Sequence, residues 1–170
     1  RSINYRLRSD VPVGTCLSGG LDSSSIAGIA AERYTKESGQ QFKGIHAKSS
    51  EVKTDESVYA EIVAKAKNIN LYTIMPTVAE FKEILDDAFY TQEEPFSSPS
   101  VIMQYFVMKK AKEIGCIVML DGQGGDETLL GYAWYYPAYL ISFTPFNFLI
   151  AFFQSLIHSS LSLRELIAYL

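Results

Sequence analysis

The chain has 170 residues, 48% hydrophobic and 20% charged, with a formal net charge of −4, which fits one globular domain of mixed structure able to bury a real core. The mild negative balance, with no basic block or arm, excludes phosphate-backbone binding as the main role, so nucleic acid is not an expected partner. Cys16 and Cys116 lie in separate apolar runs that match neither a zinc spacing nor a disulfide framework, and no secretory leader pattern precedes them, so reduced thiols in a cytoplasmic protein are expected.

Up to about Tyr132, short apolar runs alternate with stretches of helical period, the pattern of βαβ units around a parallel sheet. Strands are expected at residues 11–17, 42–47, 69–75 and 116–120. Residues 23–36 form an amphipathic helix with Ile26, Ile29, Ala30 and Tyr34 on its apolar face, and residues 56–67 another with Tyr59, Ile62, Val63 and Ala66. Thr77 and Glu80 have capping-box spacing and start a helix that carries Val78, Phe81, Leu85 and Ala88. Pro99 and Ser100 open a further helix, with Ile102, Tyr105 and Phe106 on its apolar face, that Gly115 is placed to stop. From Ala133 the chain reads as helical, and residues 138–157 carry no charge. Polar interruptions and Pro145 favour a helical hairpin over a membrane span.

Two loops carry chemistry. Leu17-Ser18-Gly19-Gly20-Leu21-Asp22-Ser23-Ser24 stands where a strand gives way to a helix. Its glycines admit close backbone approach to an anion, and its serines add hydroxyls at a helix N-terminus, so it predicts a phosphate cradle. It is neither a Walker A loop nor a dinucleotide fingerprint, because the required lysine and third glycine are absent. Asp22 inside such a cradle calls for a cation, and magnesium bridging it to a polyphosphate resolves the conflict. The second loop, Asp121-Gly122-Gln123-Gly124-Gly125-Asp126-Glu127, follows another strand. In an open parallel sheet the two would converge on one crevice, with Asp126 sharing the metal of Asp22. His46 and His158 lack paired ligands and are expected to pack rather than bind metal, the aromatic run from Tyr132 through Trp134 to Tyr136 is expected to be core, and Cys16 is expected to be a buried strand residue rather than a nucleophile.

Together, the segment from Leu7 to Gly14, the 18–24 loop, Asp55 to Ala60, Glu94 to Ser100 and the 121–127 loop resemble, in order, the synthetase domain of the asparagine synthetase family. The resemblance covers roughly residues 5–132. It implies an α/β, doubly wound, mostly parallel sheet with helices on both faces, of the adenine nucleotide alpha hydrolase type, and a helical C-terminal extension. Residues 1–132 would be the nucleotide-binding core, and 133–170 an incomplete part of the same domain. The implied reaction activates the side-chain carboxylate of aspartate with ATP and magnesium, and ammonia then displaces AMP. The resemblance places ATP and pyrophosphate on Leu17, Ser18, Gly19, Gly20, Asp22, Ser23, Ser24, Ile45, His46, Asp121 and Gly122, and magnesium on Asp22 and Asp126. Glu127 and Gln123 would stand beside the reacting carboxylate. Gln123 replaces a glutamate common among relatives, and a neutral amide cannot act as a base. Leu130 stands where a glycine is usual, and no lysine follows Lys112 to match the family's late phosphate contact. The implied glutaminase lies outside these residues, so a piece of a larger enzyme is expected, with exposed C-terminal apolar faces that favour dimerisation. Related β-lactam synthetases and lasso-peptide cyclases share this chemistry, and a non-catalytic ATP-binding module is the alternative from another class.

Overall fold

A computed structural model of the chain describes residues 1–51, 54–96, 98–129, 131–132, 135–158 and 163–168. Ser97, Leu130 and Trp134, and the side chain of His158, lie outside the described residues. The chain divides into two compact units, Arg1–Gly122 and Gln123–Leu170.

In chain order, the first unit holds α1 (Ser2–Arg6), β1 (Val13–Cys16), α2 (Leu21–Ser38), β2 (Lys43–Ala47), α3 (Ser57–Ala66), β3 (Asn70–Ile74), α4 (Val78–Glu83), α5 (Leu85–Gln92), α6 (Pro99–Glu113) and β4 (Val118–Leu120). The strands form one parallel sheet in the order β3-β2-β1-β4. After β1 the chain builds outward through β2 and β3, then returns to lay β4 on the other side of β1. The strand order therefore reverses between β1 and β4, and ligands of such sheets bind outside the carboxyl ends of the strands at that point.

Strand alternation assigns the two faces. On one, Val13, Leu17 and Leu120 pack against Ala27, Ala30 and Ala31 of α2 and Ala60 and Ala64 of α3. On the other, Cys16, Ile45, Ala47, Ile74 and Met119 pack with Val107 and Ala111 of α6. Helices thus cover both faces, as expected for a doubly wound sheet. Phe42, Leu17 and Ile45 are fully buried, each worth about 1.5–3 kcal/mol over exposure.

Two strands start two residues later than the periodicity suggests. Pro12 has no N–H to give the ladder, so β1 begins at Val13. The amide of Cys116 donates to Ala111 at the end of α6, 2.8 Å away, which delays β4. The helix faces also need correction. On α2 the buried residues are Ser23, Ala27, Ala30 and Ala31, while Ile29 is 54% exposed. On α3 they are Ser57, Ala60 and Ala64, with Tyr59 and Ile62 exposed. Ala30 is in the core and Ile26, Tyr34 and Val63 pack against it as expected, while the small residues let both helices lie close to the sheet. The capping box forms as expected: Glu80 donates its amide to Thr77 Oγ1 at 3.3 Å and accepts the Thr77 amide at 2.6 Å. That helix bends at Ile84 (φ −95, ψ 0), although the amides of Ile84 and Ala88 still bond to Glu80 and Ile84. Gly115, at φ +75, follows the end of α6 as expected.

The second unit is helical, with α7 (Gly125–Leu129), α8 (Tyr136–Ile141), α9 (Pro145–His158) and α10 (Leu163–Ala168). Its uncharged stretch is broken ahead of Pro145, which lacks an N–H and starts α9 rather than continuing α8. Among the described residues no helix is long and apolar enough to cross a membrane.

Candidate functional site

Leu17 leaves β1 with both peptide groups still held by the neighbouring strand. Its N–H donates to Ile45 at 2.9 Å, and its carbonyl accepts from the ring of His46 at 2.9 Å. The chain then turns sharply through Ser18 and Gly19. Gly19 has φ +100, and a Cβ there would lie 2.7 Å from the carbonyl oxygen of Glu56 and 3.1 Å from the amide of Ala60. Only glycine supplies this backbone and lets the turn rest on the start of α3. Ser18 Oγ accepts from the amide of Gly20 at 3.1 Å and meets Ser23 Oγ at 2.8 Å, and Ser23 Oγ donates to the Gly20 carbonyl at 3.2 Å. The serines therefore brace the loop onto the first turn of α2.

Gly20 is the N-cap of α2, with extended backbone (φ −65, ψ 164) and no side-chain cap. The first helical bond at this end is from Ser24 to Gly20, 3.0 Å, so the amides of Leu21, Asp22 and Ser23 are those a helix leaves unpaired within itself. With the macrodipole they favour an anion.

The first residues after β4 enter the same place. Thr15 Oγ1 is buried between β1 and β4 and donates to the Leu120 carbonyl at 3.2 Å, which fixes where β4 ends. Gly122 then passes over the start of α2. A Cβ on it would come 3.0 Å from the Ser23 nitrogen and 3.2 Å from Asp22 Cβ. The convergence expected from the sequence is thus present for Asp22, Ser23 and Gly122. Asp121 accepts from Gln104 Nε2 at 3.4 Å and faces Cys16. Burial first, and the Asp121 charge second, push the Cys16 thiol up to about 12. Cys16 is therefore not a nucleophile at neutral pH.

Leu17, Ile45 and His46 are at most 2% exposed. Their side chains belong to the core, and His46 packs as expected, with both ring nitrogens engaged: Nδ1 with Leu17 and Nε2 with Ser57 Oγ, 2.9 Å. Nothing in the sequence led us to expect this link, or the part of Glu56, whose carbonyl backs Gly19. The signal available was the Asp55-Glu56-Ser57 segment, noted for its resemblance but given no role.

Gln123, Asp126 and Glu127 belong to the second unit. There, Thr128 Oγ1 donates to Gly124 at 2.9 Å and closes the turn into α7. The amide of Gly131 donates to the Asp126 carbonyl at 2.9 Å. The Tyr132 hydroxyl donates to Glu127 Oε1 at 3.1 Å, and this bond raises the phenol above its ordinary range. Among the described residues no group of three or more His, Cys, Asp or Glu side chains could hold a metal by itself. A groove of about 900 Å³ also runs along the outer side of α2. Four of its charged residues pair with one another, Arg33 to Glu37 at 2.5 Å and Lys67 to Glu32 at 3.8 Å, and Lys36 lines it as well.

Residues 1–166 match the family model described as Asparagine synthase. A relative from Methanocaldococcus jannaschii is 34% identical over 144 residues, covering 84% of this chain and 27% of its own length. Asparagine synthetase (glutamine-hydrolyzing) 1 of Bacillus subtilis is 34% identical over 136 residues, covering 77% of this chain and 20% of its own. The chain thus spans about a quarter or less of these relatives. Among solved structures, the NH3-dependent NAD synthetase of Campylobacter jejuni aligns at a TM-score of 0.49 and 22% identity, covering 78% of this chain and 56% of that one.

Proposed function

The chain belongs to the asparagine synthase family, and we propose that it forms the nucleotide half-site of an ATP-dependent, amide-forming synthetase that activates the side-chain carboxylate of aspartate. The observation that carries this reading is the convergence of the glycine loop, the uncapped N-terminus of α2 and Gly122 at the sheet's reversal point. The amides of Leu21, Asp22 and Ser23, with the hydroxyls of Ser18, Ser23 and Ser24, receive the β- and γ-phosphates, and the same donors favour the charge that grows on the departing pyrophosphate. An aspartate carboxylate oxygen attacks the α-phosphorus, the bond to pyrophosphate breaks, and a β-aspartyl adenylate results. Ammonia then attacks the acyl carbon and AMP leaves.

Asp22, in the first turn of α2 beside Gly122, offers the hard carboxylate oxygen that magnesium prefers. That ion keeps waters and takes one or two carboxylates plus phosphates. When bound, magnesium neutralises charge on the pyrophosphate; Asp22 and Asp126 are its proposed ligands. Adenosine is assigned to the main chain at Leu17, Ile45 and His46 and to Asp121 and Gly122. Glu127 is assigned to positioning or deprotonating ammonia, and Gln123 to positioning alone.

The test is AMP release by the protein that carries this chain, with ATP, magnesium and ammonia. AMP formation that depends on aspartate supports the reading. Dependence on another carboxylate moves it to a related amide-forming enzyme, and ATP binding without AMP identifies a binding module.

A further inference from the structure

One buried polar chain links the loop to the helix behind it. Leu17 is the last residue before the turn, and its carbonyl can only accept, so the His46 proton that meets it sits on Nδ1. Nε2 meets Ser57 Oγ in the first turn of α3, where Ser57 is 5% exposed and His46 2%. Ser57 is itself anchored: its amide donates to Asp55 Oδ1 at 3.1 Å, and its hydroxyl, with one proton to give, lies within hydrogen-bond reach of both that oxygen and the accepting Nε2. The Ser57 hydroxyl is also the main cause that holds Asp55 below the usual carboxylate range, and Lys48 lies 3.9 Å from the same carboxylate. The residues just before α3 in turn form the floor under Gly19, through the Glu56 carbonyl. The loop is thus fixed at two points to one helix: by contact at Gly19, and by the ring of His46 at Leu17.

We propose that His46 is a positioning residue for the phosphate loop, its imidazole tying the Leu17 carbonyl to Ser57 so that the glycine turn keeps the spacing that receives the phosphates. This deepens the ATP reading above and rests on it for the identity of the ligand. The part played by His46 in holding the loop can be measured without a ligand. An unfastened Leu17 carbonyl leaves a buried acceptor unpaired, and the local structure opens to satisfy it with water.

The two ring nitrogens can be separated by substitution. His46→Asn places an amide nitrogen near the Nδ1 position and keeps the bond to Leu17. His46→Gln reaches instead toward the Nε2 position and keeps only Ser57. Hydrogen exchange is followed at the amides of Leu17 and Gly20, which are bonded to Ile45 and Ser18 at 2.9 and 3.1 Å, with Tyr72 in β3 as a control for global stability. Relative to Tyr72, exchange at both loop amides is expected to rise roughly tenfold in His46→Gln, the equilibrium weight of one buried hydrogen bond, and to stay near wild type in His46→Asn. Ser57→Ala, which keeps the ring but frees it to turn, is expected to shift the loop amides the same way by a smaller factor, and it provides the test if a ring substitution prevents folding. Equal exchange in the Asn and Gln variants, or acceleration that Tyr72 shares in full, overturns the proposal. A parallel titration with ATP and magnesium separates the two claims: wild type that binds no ATP while its loop responds as described refutes the ligand and leaves the positioning role standing. ATP binding that His46→Gln weakens and His46→Asn retains supports both.

Discussion

Replacing Gly19 with alanine perturbs the loop at its tightest point. Gly19 sits at φ +100, and a Cβ there would be 2.7 Å from Glu56 O, 3.1 Å from Ala60 N and 3.1 Å from Tyr59 Cβ. An L-residue at positive φ costs about 1–2 kcal/mol, and overpacking against backbone that cannot swing aside adds about 1–3 kcal/mol. The combined penalty of about 2–5 kcal/mol is a large share of a typical domain stability of about 5–15 kcal/mol. Gly39 is the internal control, because it has φ +69 and open space, with nothing within 4 Å of where an added methyl would stand; Gly39→Ala feels strain alone. At about 2–4 °C per kcal/mol for a chain of this size, Gly19→Ala is expected to melt roughly 10 °C below wild type, and Gly39→Ala only a few degrees below. Thermal melts by circular dichroism measure both. Equal losses in the two variants would refute this reasoning, because the turn would then not be pressed against α3.

Gly122→Ala is expected to weaken ATP binding more than it lowers stability, since its methyl would come within 3.0 Å of the Ser23 nitrogen; calorimetry paired with melts checks the ratio. Burial raises both thiols, Cys16 to about 12, so a disulfide reagent at pH 8 should modify neither within minutes in the folded chain and both after denaturation. Thr77→Ala removes the acceptor of the capping box and should cost about 1 kcal/mol, read by urea unfolding. Glu80 is held below its ordinary range by the Thr77 amide first and the Thr77 hydroxyl second. Its contribution is therefore full above the unfolded carboxylate pKa and lost as pH falls through the folded one. Wild type should accordingly lose more stability than Glu80→Gln on acidification below about pH 4.5, and parallel loss in the two would count against the box.

What could be read in advance followed the strength of each local signal. The Gly-Gly turn, the Thr77 and Glu80 spacing and the Pro99 start each act through one or two residues whose backbone chemistry is unambiguous, and each stands where the sequence places it. The apolar faces of α2 and α3 were less legible, because large side chains attract attention while packing distance is set by small ones. Ile29, Tyr59 and Ile62 were expected inside and point outward, whereas Ala27, Ala31, Ala60 and Ala64 make the contact with the sheet. The link from Leu17 through His46 to Ser57 was not legible at all. It joins three elements whose sequence positions say nothing of their proximity, and a lone histidine in a strand carries no periodic signal. That the ends of β1 and β4 meet was foreseeable from topology, since adjacent parallel strands present their carboxyl ends to one crevice, but the specific approach of Gly122 to Ser23 emerges only from the folded geometry.

The most direct test of the central claim is calorimetric titration of the 170-residue chain with ATP and magnesium, beside Asp22→Ala, Asp126→Ala and GTP. Magnesium-dependent binding that prefers ATP and is lost in both variants is the expected result. A folded wild-type chain that binds neither nucleotide, or binds ATP equally well with Asp22 removed and without magnesium, would contradict it.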